Sequence, residues 1–259
     1  MKIPRARPLA DTDEEAVRAT IISKLESDPE RYLGDYARRF GNVLNADDAA
    51  TLFSEYGENP AKYRVAVHPA AQWIRDELFR RALNTSGSDQ FRVVFTAGGN
   101  AAGKSTAVAF SGTDSDSAAA VLDSTFSNYE HARVLVDQAA SAGKRVTVLY
   151  VNRPLDDALM SMLDRAGTEG RVVTLNQLIE SQRGAAGTVR KLWGTLGGRP
   201  GFTFRFLMNA PDGLREGGVD VAQPAAYTGS RDALDRILDA EYQAGRIPEA
   251  IYRRVKGRS

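Results

Sequence analysis

The spacing of apolar residues changes character twice along the chain. Up to about residue 90 they recur three and four apart, the period of helices that bury one face. Asp11-Thr12-Asp13 supplies helix-start chemistry, and Val17, Ile21, Ile22 and Leu25 follow on one side. Asp28-Pro29 restarts a helix carrying Tyr32, Leu33, Tyr36 and Phe40, which Gly41 ends. Asn45-Ala46-Asp47-Asp48 opens another, leading into Leu52 and Phe53. A further helix is predicted from Asn59-Pro60, broken or kinked at Pro69 and continued by the apolar face Ala71, Ile74, Leu78 and Ala82. The polar run from Asn84 to Asp89 closes this region.

From Phe91 onward short apolar runs alternate with helical patterns. Phe91 to Thr96 is β-branched and aromatic, the composition of a buried strand. A glycine-rich turn and a short helix to about Phe110 follow, then the polar linker 111–117. Ala120 to Asp123 is a second short strand, Asn128 to Ala142 a helix stopped by Gly143, and Val146 to Val151 the clearest strand. Pro154 opens a helix to about Arg165. Thr174 to Trp193 is another, weakened by Gly184 and Gly187, and Phe202 to Leu207 alternates as a strand. Ser230 to Tyr242 forms a last amphipathic helix with Leu234, Ile237 and Leu238 inward. Strands alternating with helices imply crossover connections, and so an α/β fold with a mostly parallel sheet flanked by helices. The expected organisation is a helical region over 1–89 packing on an α/β core over 90–210, with a helical extension over 211–259.

Composition narrows the function. The 259 residues are 42% hydrophobic and 26% charged, an ordinary globular mix. Cysteine is absent and only His68 and His131 are available, which excludes disulfides and thiolate metal sites and argues against a histidine metal centre. Neither histidine has a partner pattern, so both are read as structural, and Trp73, at helical spacing, as core. No apolar run reaches about 18 residues and no secretory signal opens the chain, so the expectation is a cytoplasmic protein without a membrane span. A formal net charge of +1 is too small for a general nucleic-acid binder.

The chemistry concentrates after the first strand. Gly98-Gly99-Asn100-Ala101-Ala102-Gly103-Lys104-Ser105 matches the phosphate-binding pattern G-x4-G-K-[ST] at every fixed position, with Thr106 continuing into the helix. Glycines allow the backbone to curl so that several N–H groups face one anion. Lys104 then reaches the β- and γ-phosphates, the Ser105 hydroxyl serves Mg²⁺, and the helix adds its positive end. These features call for a nucleoside triphosphate, ATP or GTP, with Mg²⁺. Asp123, at a strand's carboxyl end, either holds a magnesium-bound water or accepts a substrate proton; its bland alternative is a cap for the turn at Ser124-Thr125. Arg165 and Arg171 flank a polar, glycine-containing segment that either closes over the phosphates or is a solvated helix end. Arg183 and Arg190, seven residues apart, share a helix face and read as surface residues.

The order Thr96 to Thr106, then Val121-Leu122-Asp123-Ser124-Thr125, then Val148 to Pro154, then Arg165 and Gly170 to Val173 resembles the zeta-toxin family of small-molecule kinases. Leu44 to Ala49 and Ala66-Val67-His68 extend the resemblance over roughly residues 44 to 192. It implies a kinase that passes the γ-phosphoryl group to a hydroxyl of a nucleotide-linked small molecule, UDP-N-acetylglucosamine or a related nucleotide. It also implies Lys104 and Ser105 at phosphate and metal, Arg165 and Arg171 as closing-loop arginines, and a neutralising antitoxin as partner. One departure stands out. Such kinases usually carry a further strand after the phosphate-binding helix, ending in the base aspartate, and segment 107–119 is too short for it. Asp123, or Asp114 or Asp116 from the linker, is left for that role. The alternative is a nucleotide-binding effector with little or no phosphotransfer.

Overall fold

The computed structural model describes residues 3, 8–85, 91–110, 117–169, 172–227 and 230–257. Two of the calls made above, Asp114 and Asp116, lie outside these residues, as does Arg171.

The N-terminal region is helical, as its periodicity requires. Helices α1 (Thr12–Ser27) and α2 (Pro29–Phe40) are capped by Asp11 and Asp28, whose carboxylates accept from first-turn amides. Gly41, at φ 62°, ends α2. Strand β1 (Val43–Leu44) follows, then α3 (Ala46–Ala50), α4 (Ser54–Glu58) and α5 (Pro60–Asn84). Pro69 does not break α5, which runs unbroken for 25 residues. Proline removes one backbone donor and leaves the Val65 carbonyl without it, but Val65 is exposed, so water can serve that carbonyl. The buried stripe Ala66, Val67, Ala70, Ala71 and Ile74 meanwhile holds both halves against α1 and α3. Tertiary burial therefore overrides the local cost.

The rest builds the sheet. Strand β2 (Arg92–Ala97) leads to α6 (Lys104–Phe110), β3 (Ala120–Asp123) to α7 (Tyr129–Ser141), and β4 (Arg145–Asn152) to α8 (Leu155–Glu169) and α9 (Leu175–Leu196). Strands β5 (Phe202–Ala210) and β6 (Gly213–Gly217) complete it, and α10 (Arg231–Gln243) and α11 (Glu249–Lys256) close the described chain. The order is β1-β3-β2-β4-β5-β6, parallel throughout except for β6 against β5. The mostly parallel α/β architecture expected from the sequence is thus present.

Alternation along the strands separates two cores. Val93, Phe95 and Ala97 point into the larger cluster, shared with α1, α2, α5, α7, α8, α9 and α10. Val94, Val121, Leu149, Val151 and Leu207 point to the other face, under Ala102 and Ala107. Gly184, which weakens the helical signal of α9, is where that helix touches the loop before α7: a Cβ there would lie 2.6 Å from the Ser127 carbonyl. Among the described residues no helix is long and apolar enough to cross a membrane.

Strand β2 has β3 on one side and β4 on the other, so the chain leaves its carboxyl end at a switch point of the sheet. Crevices outside the carboxyl ends of such strands are where ligands bind in open α/β sheets.

Candidate functional site

At that switch point the loop 98–103 turns from β2 into α6. Gly98 (φ 148°) and Gly103 (φ 86°) take backbone conformations that side chains disfavour. Neither position has room for a side chain. A Cβ on Gly98 would lie 2.5 Å from the Val151 carbonyl, and one on Gly103 would overlap the Asn209 amide. Ala101 holds a positive φ of 59° without being glycine, a strained residue in the middle of the loop.

The loop amides fall into two groups. Those of residues 98, 99 and 100 donate to the protein itself: to the Thr125 carbonyl at 3.2 Å, to Gln182 Oε1 at 3.3 Å and to Ser181 Oγ at 3.0 Å. Those of Ala101, Gly103, Lys104, Ser105 and Thr106 have no acceptor among the described residues, and these residues line a cavity of about 670 Å³. A cluster of open amides at a helix N-terminus is an anion cradle. Lys104 lies across it, its Nζ donating to the Gly98 and Gly99 carbonyls, both at 3.3 Å. Desolvation pushes the Lys104 ammonium below its ordinary pKa; Asp123 opposes that shift and Arg165 adds to it. An incoming phosphate would add to the counter-charge that Asp123 and Asp47 give this ammonium.

Asp123 stands beside the loop because β3 pairs with β2 in a register that sets it opposite Thr96. Thr96 Oγ1 donates to Asp123 Oδ1 at 2.7 Å and Asn45 Nδ2 donates to Oδ2 at 2.9 Å. Both oxygens are thus held by neutral donors. Ser105 and Asp123 line the same cavity. Hydroxyl and carboxylate oxygens are the donors Mg²⁺ takes, one or two from the protein with the remainder from phosphates and water. Among the described residues no group of three or more acidic or histidine side chains forms a metal cage. The residues present fit that mode.

Asn45 reaches Asp123 through β1, an element the hydrophobic pattern did not predict. Two-residue β1 pairs with β3 through Val43↔Val121 and Leu44↔Leu122, which places Asn45 next to Asp123. Asn42 fixes the register, donating to the Ala118 carbonyl at 2.7 Å and accepting from the Val121 amide at 2.9 Å. Helix α3, which follows this edge strand, carries Asp47, which lines the cavity with Asn45 and Arg64. This edge strand comes from ahead of the loop, and the helix after it brings a second carboxylate to the cavity. The sequence signal was present in Asn45-Ala46-Asp47-Asp48, where the helix start masked the two strand residues before it.

The opposite wall is basic. Arg153, following β4, donates from Nη1 to the Ala101 carbonyl at 3.3 Å, and Arg165 on α8 lines the same cavity with Ser161 and Met162. Asn209 at the end of β5 donates to the Ala102 carbonyl at 2.9 Å, bracing the loop's second half. Of the residues singled out from sequence, Gly103, Lys104, Ser105, Thr106, Asn100, Ala101, Ala102, Asp123 and Arg165 line one cavity. Gly98 and Gly99 are buried beneath it. Asp47, Asn45, Arg64, Arg153, Ser181, Gln182 and Asn209 were not foreseen as site residues, since they arrive from elements far from the loop in sequence. Arg183 is exposed, and exposed Arg190 donates to the Ala222 carbonyl at 3.3 Å, in keeping with surface roles.

Comparison with known proteins adds the following. The family described as Zeta toxin matches residues 115–195, from just before β3 to the end of α9, a stretch that leaves the phosphate loop to stand on its own geometry. No curated protein matches the chain. Among solved structures, the native AvrRxo1-ORF1:AvrRxo1-ORF2 complex contains a chain similar at 15% identity and TM-score 0.45, covering 79% of this chain and 89% of that one. The same complex with ATP gives 15% identity and TM-score 0.40, covering 62% and 69%. The complex with sulphate ions gives 16% and 0.40, covering 62% and 70%. Residues 115–195 are thus similar to the zeta toxin family.

Proposed function

We propose that the chain is a zeta-toxin-like kinase that uses ATP or GTP with Mg²⁺ to phosphorylate a hydroxyl of a nucleotide-linked small molecule, UDP-N-acetylglucosamine or a related nucleotide. The observation that carries the reading is one cavity in which open loop amides, Lys104, Ser105 and two carboxylates of different character converge. Phosphoryl transfer asks the protein mainly for positioning and charge neutralisation. The loop amides and Lys104 hold the β- and γ-phosphates, Ser105 and Asp123 serve Mg²⁺, and Arg165, with Arg171 from outside the described residues, neutralises charge on the transferring group. A cation held by Ser105 and Asp123 would supply charge neutralisation for the phosphates.

The two carboxylates divide the remaining work. Asp123 is held on both oxygens, which suits a fixed orienting group. Asp47 lines the cavity with Arg64 and Asn45, and in this reading takes the proton of the acceptor hydroxyl. This assigns to Asp47 the base role that the sequence alone left to Asp123, Asp114 or Asp116. A kinase activity toxic to cells would require restraint, so a neutralising antitoxin belongs to the same reading.

The test is ³¹P NMR of the protein with Mg-ATP and a pool of nucleotide sugars and dinucleotides, beside Lys104→Ala. A new phosphomonoester signal, absent in the variant, is expected, and fractionation then identifies the acceptor. Bound but unconsumed ATP with every acceptor unchanged would overturn the kinase in favour of a nucleotide-binding effector.

A further inference from the structure

The phosphate loop is held by something other than its own turn. Ser181 and Gln182 are neighbours on α9, a helix that belongs to neither β2 nor α6. Gln182 is fully buried and grips the loop twice: Oε1 accepts from the Gly99 amide at 3.3 Å and Nε2 donates to the Asn100 carbonyl at 3.2 Å. Ser181, 9% exposed, accepts from the Asn100 amide at 3.0 Å and side-chain Nδ2 at 3.1 Å, and passes its own proton to the Leu178 carbonyl at 2.9 Å. The contact leaves no slack. A Cβ on Gly99 would overlap the Gln182 side chain and come within 2.7 Å of its backbone nitrogen. Two glutamine bonds and two serine bonds therefore fix the peptide units on either side of Asn100.

We infer that Ser181 and Gln182 are positioning residues for the nucleotide site, a latch that immobilises the first half of the loop so that the amides of its second half stay convergent on phosphate. The role rests on the reading of the loop as a phosphate cradle. Its physical basis is the division of donors: amides 99 and 100 are spent on α9, and the amides from Gly103 to Thr106 face the cavity. Without the latch the loop would have to be ordered by the ligand, and the ordering free energy would be taken from binding. A buried glutamine pairing with both a donor and an acceptor is also the side chain best able to make this contact, since its amide carries one of each.

The test measures binding of a fluorescent ATP analogue with Mg²⁺ to the full chain, together with thermal unfolding without nucleotide. Gln182→Met keeps length and apolar volume and removes both bonds; Ser181→Ala removes one hydroxyl and is the milder change should the first fail to fold. Ser181→Thr retains the oxygen and serves as the conservative control. The expectation is a Kd raised tenfold or more in Gln182→Met and severalfold in Ser181→Ala, with Ser181→Thr nearer wild type. A purely structural role would lower the unfolding temperature and leave the Kd of the folded protein unchanged, and that outcome overturns the latch alone. Failure of the wild-type chain to bind the analogue, with Lys104→Ala no different, overturns the phosphate cradle itself and is distinguishable from it.

Discussion

At the scale of single residues, the two cavity carboxylates can be separated by experiment. Asp47→Asn preserves shape and removes a proton acceptor, so kcat should fall by roughly 10²- to 10⁴-fold, the usual contribution of a general base. Nucleotide affinity should stay near wild type, because the proposed base role sets Asp47 at the acceptor hydroxyl and not at the phosphates. Asp123→Asn should instead weaken Mg-ATP binding, and the loss should be smaller for ATP measured without Mg²⁺. Equal loss of metal-dependent binding in both variants would contradict this division of roles. The phosphate loop was legible in the sequence because all its functional groups lie within nine consecutive residues. Asp47, Arg64, Gln182 and Asn209 were not, because nothing in their own neighbourhoods distinguishes them from surface or core polar residues. Only the sheet order brings them to one crevice.

At the scale of elements, legibility followed the strength of the local pattern. Strands β2, β4 and β5 and helices α1, α2, α7 and α9 carry enough apolar residues to be read at once. Two-residue β1 and Gly213–Gly217, whose strand exposes most of its polar residues, carry no such pattern. Pro69 misled for the opposite reason: its rule is local, and the buried face of α5 outweighs it. Pro69→Ala restores a donor to the Val65 carbonyl, worth up to about 3 kcal/mol in a helix interior, against about 0.4–1 kcal/mol of added unfolded-state freedom. The net expectation is stabilisation of about 1–2 kcal/mol, a rise in Tm of several degrees by calorimetry. No rise would mean that the chain is already shaped around the proline. The same helix holds Glu77, which accepts from Arg80 at 2.6 and 2.8 Å and from Arg81 at 2.9 Å, while Arg81 also reaches Glu30 on α2. Arg80 first, and Arg81 with it, bring the Glu77 carboxyl down from 4.5 to about 2. A depressed folded pKa contributes stability above the unfolded value and loses it as pH falls through the folded one. Glu77→Gln should therefore be destabilised at pH 7 by an amount that holds down to about 4.5 and closes towards pH 2. A gap independent of pH would show that packing, and not the ion pairs, is what the substitution removes.

At the scale of the whole molecule, the question is whether the helical region over 1–89 is a separate unit beside the core. We propose that it is integral to the site. Leu44 is buried at 3% exposure within the sheet, and the Tyr36 hydroxyl donates to the Val43 carbonyl at 2.7 Å while accepting from the Asn45 amide at 2.8 Å. Lys144, at the foot of β4, reaches back to the Thr85 carbonyl at 2.8 Å. One apolar cluster runs through both regions. The two tryptophans report on them separately, Trp73 on α5 and Trp193 on α9. Chains of this size often unfold through intermediates, so coincidence is informative. Trp73→Phe and Trp193→Phe, each leaving one reporter, should show the same denaturant midpoint, matching that from far-UV circular dichroism. Because Asp47 and Arg64 share the cavity with the phosphate loop, ligation should move both reporters together. At 100 times its Kd, Mg-ATP adds about 2.7 kcal/mol to whatever unit it holds. A shift seen by Trp193 alone would mean that the helical region unfolds without disturbing the nucleotide site, and Asp47 could not then be the base.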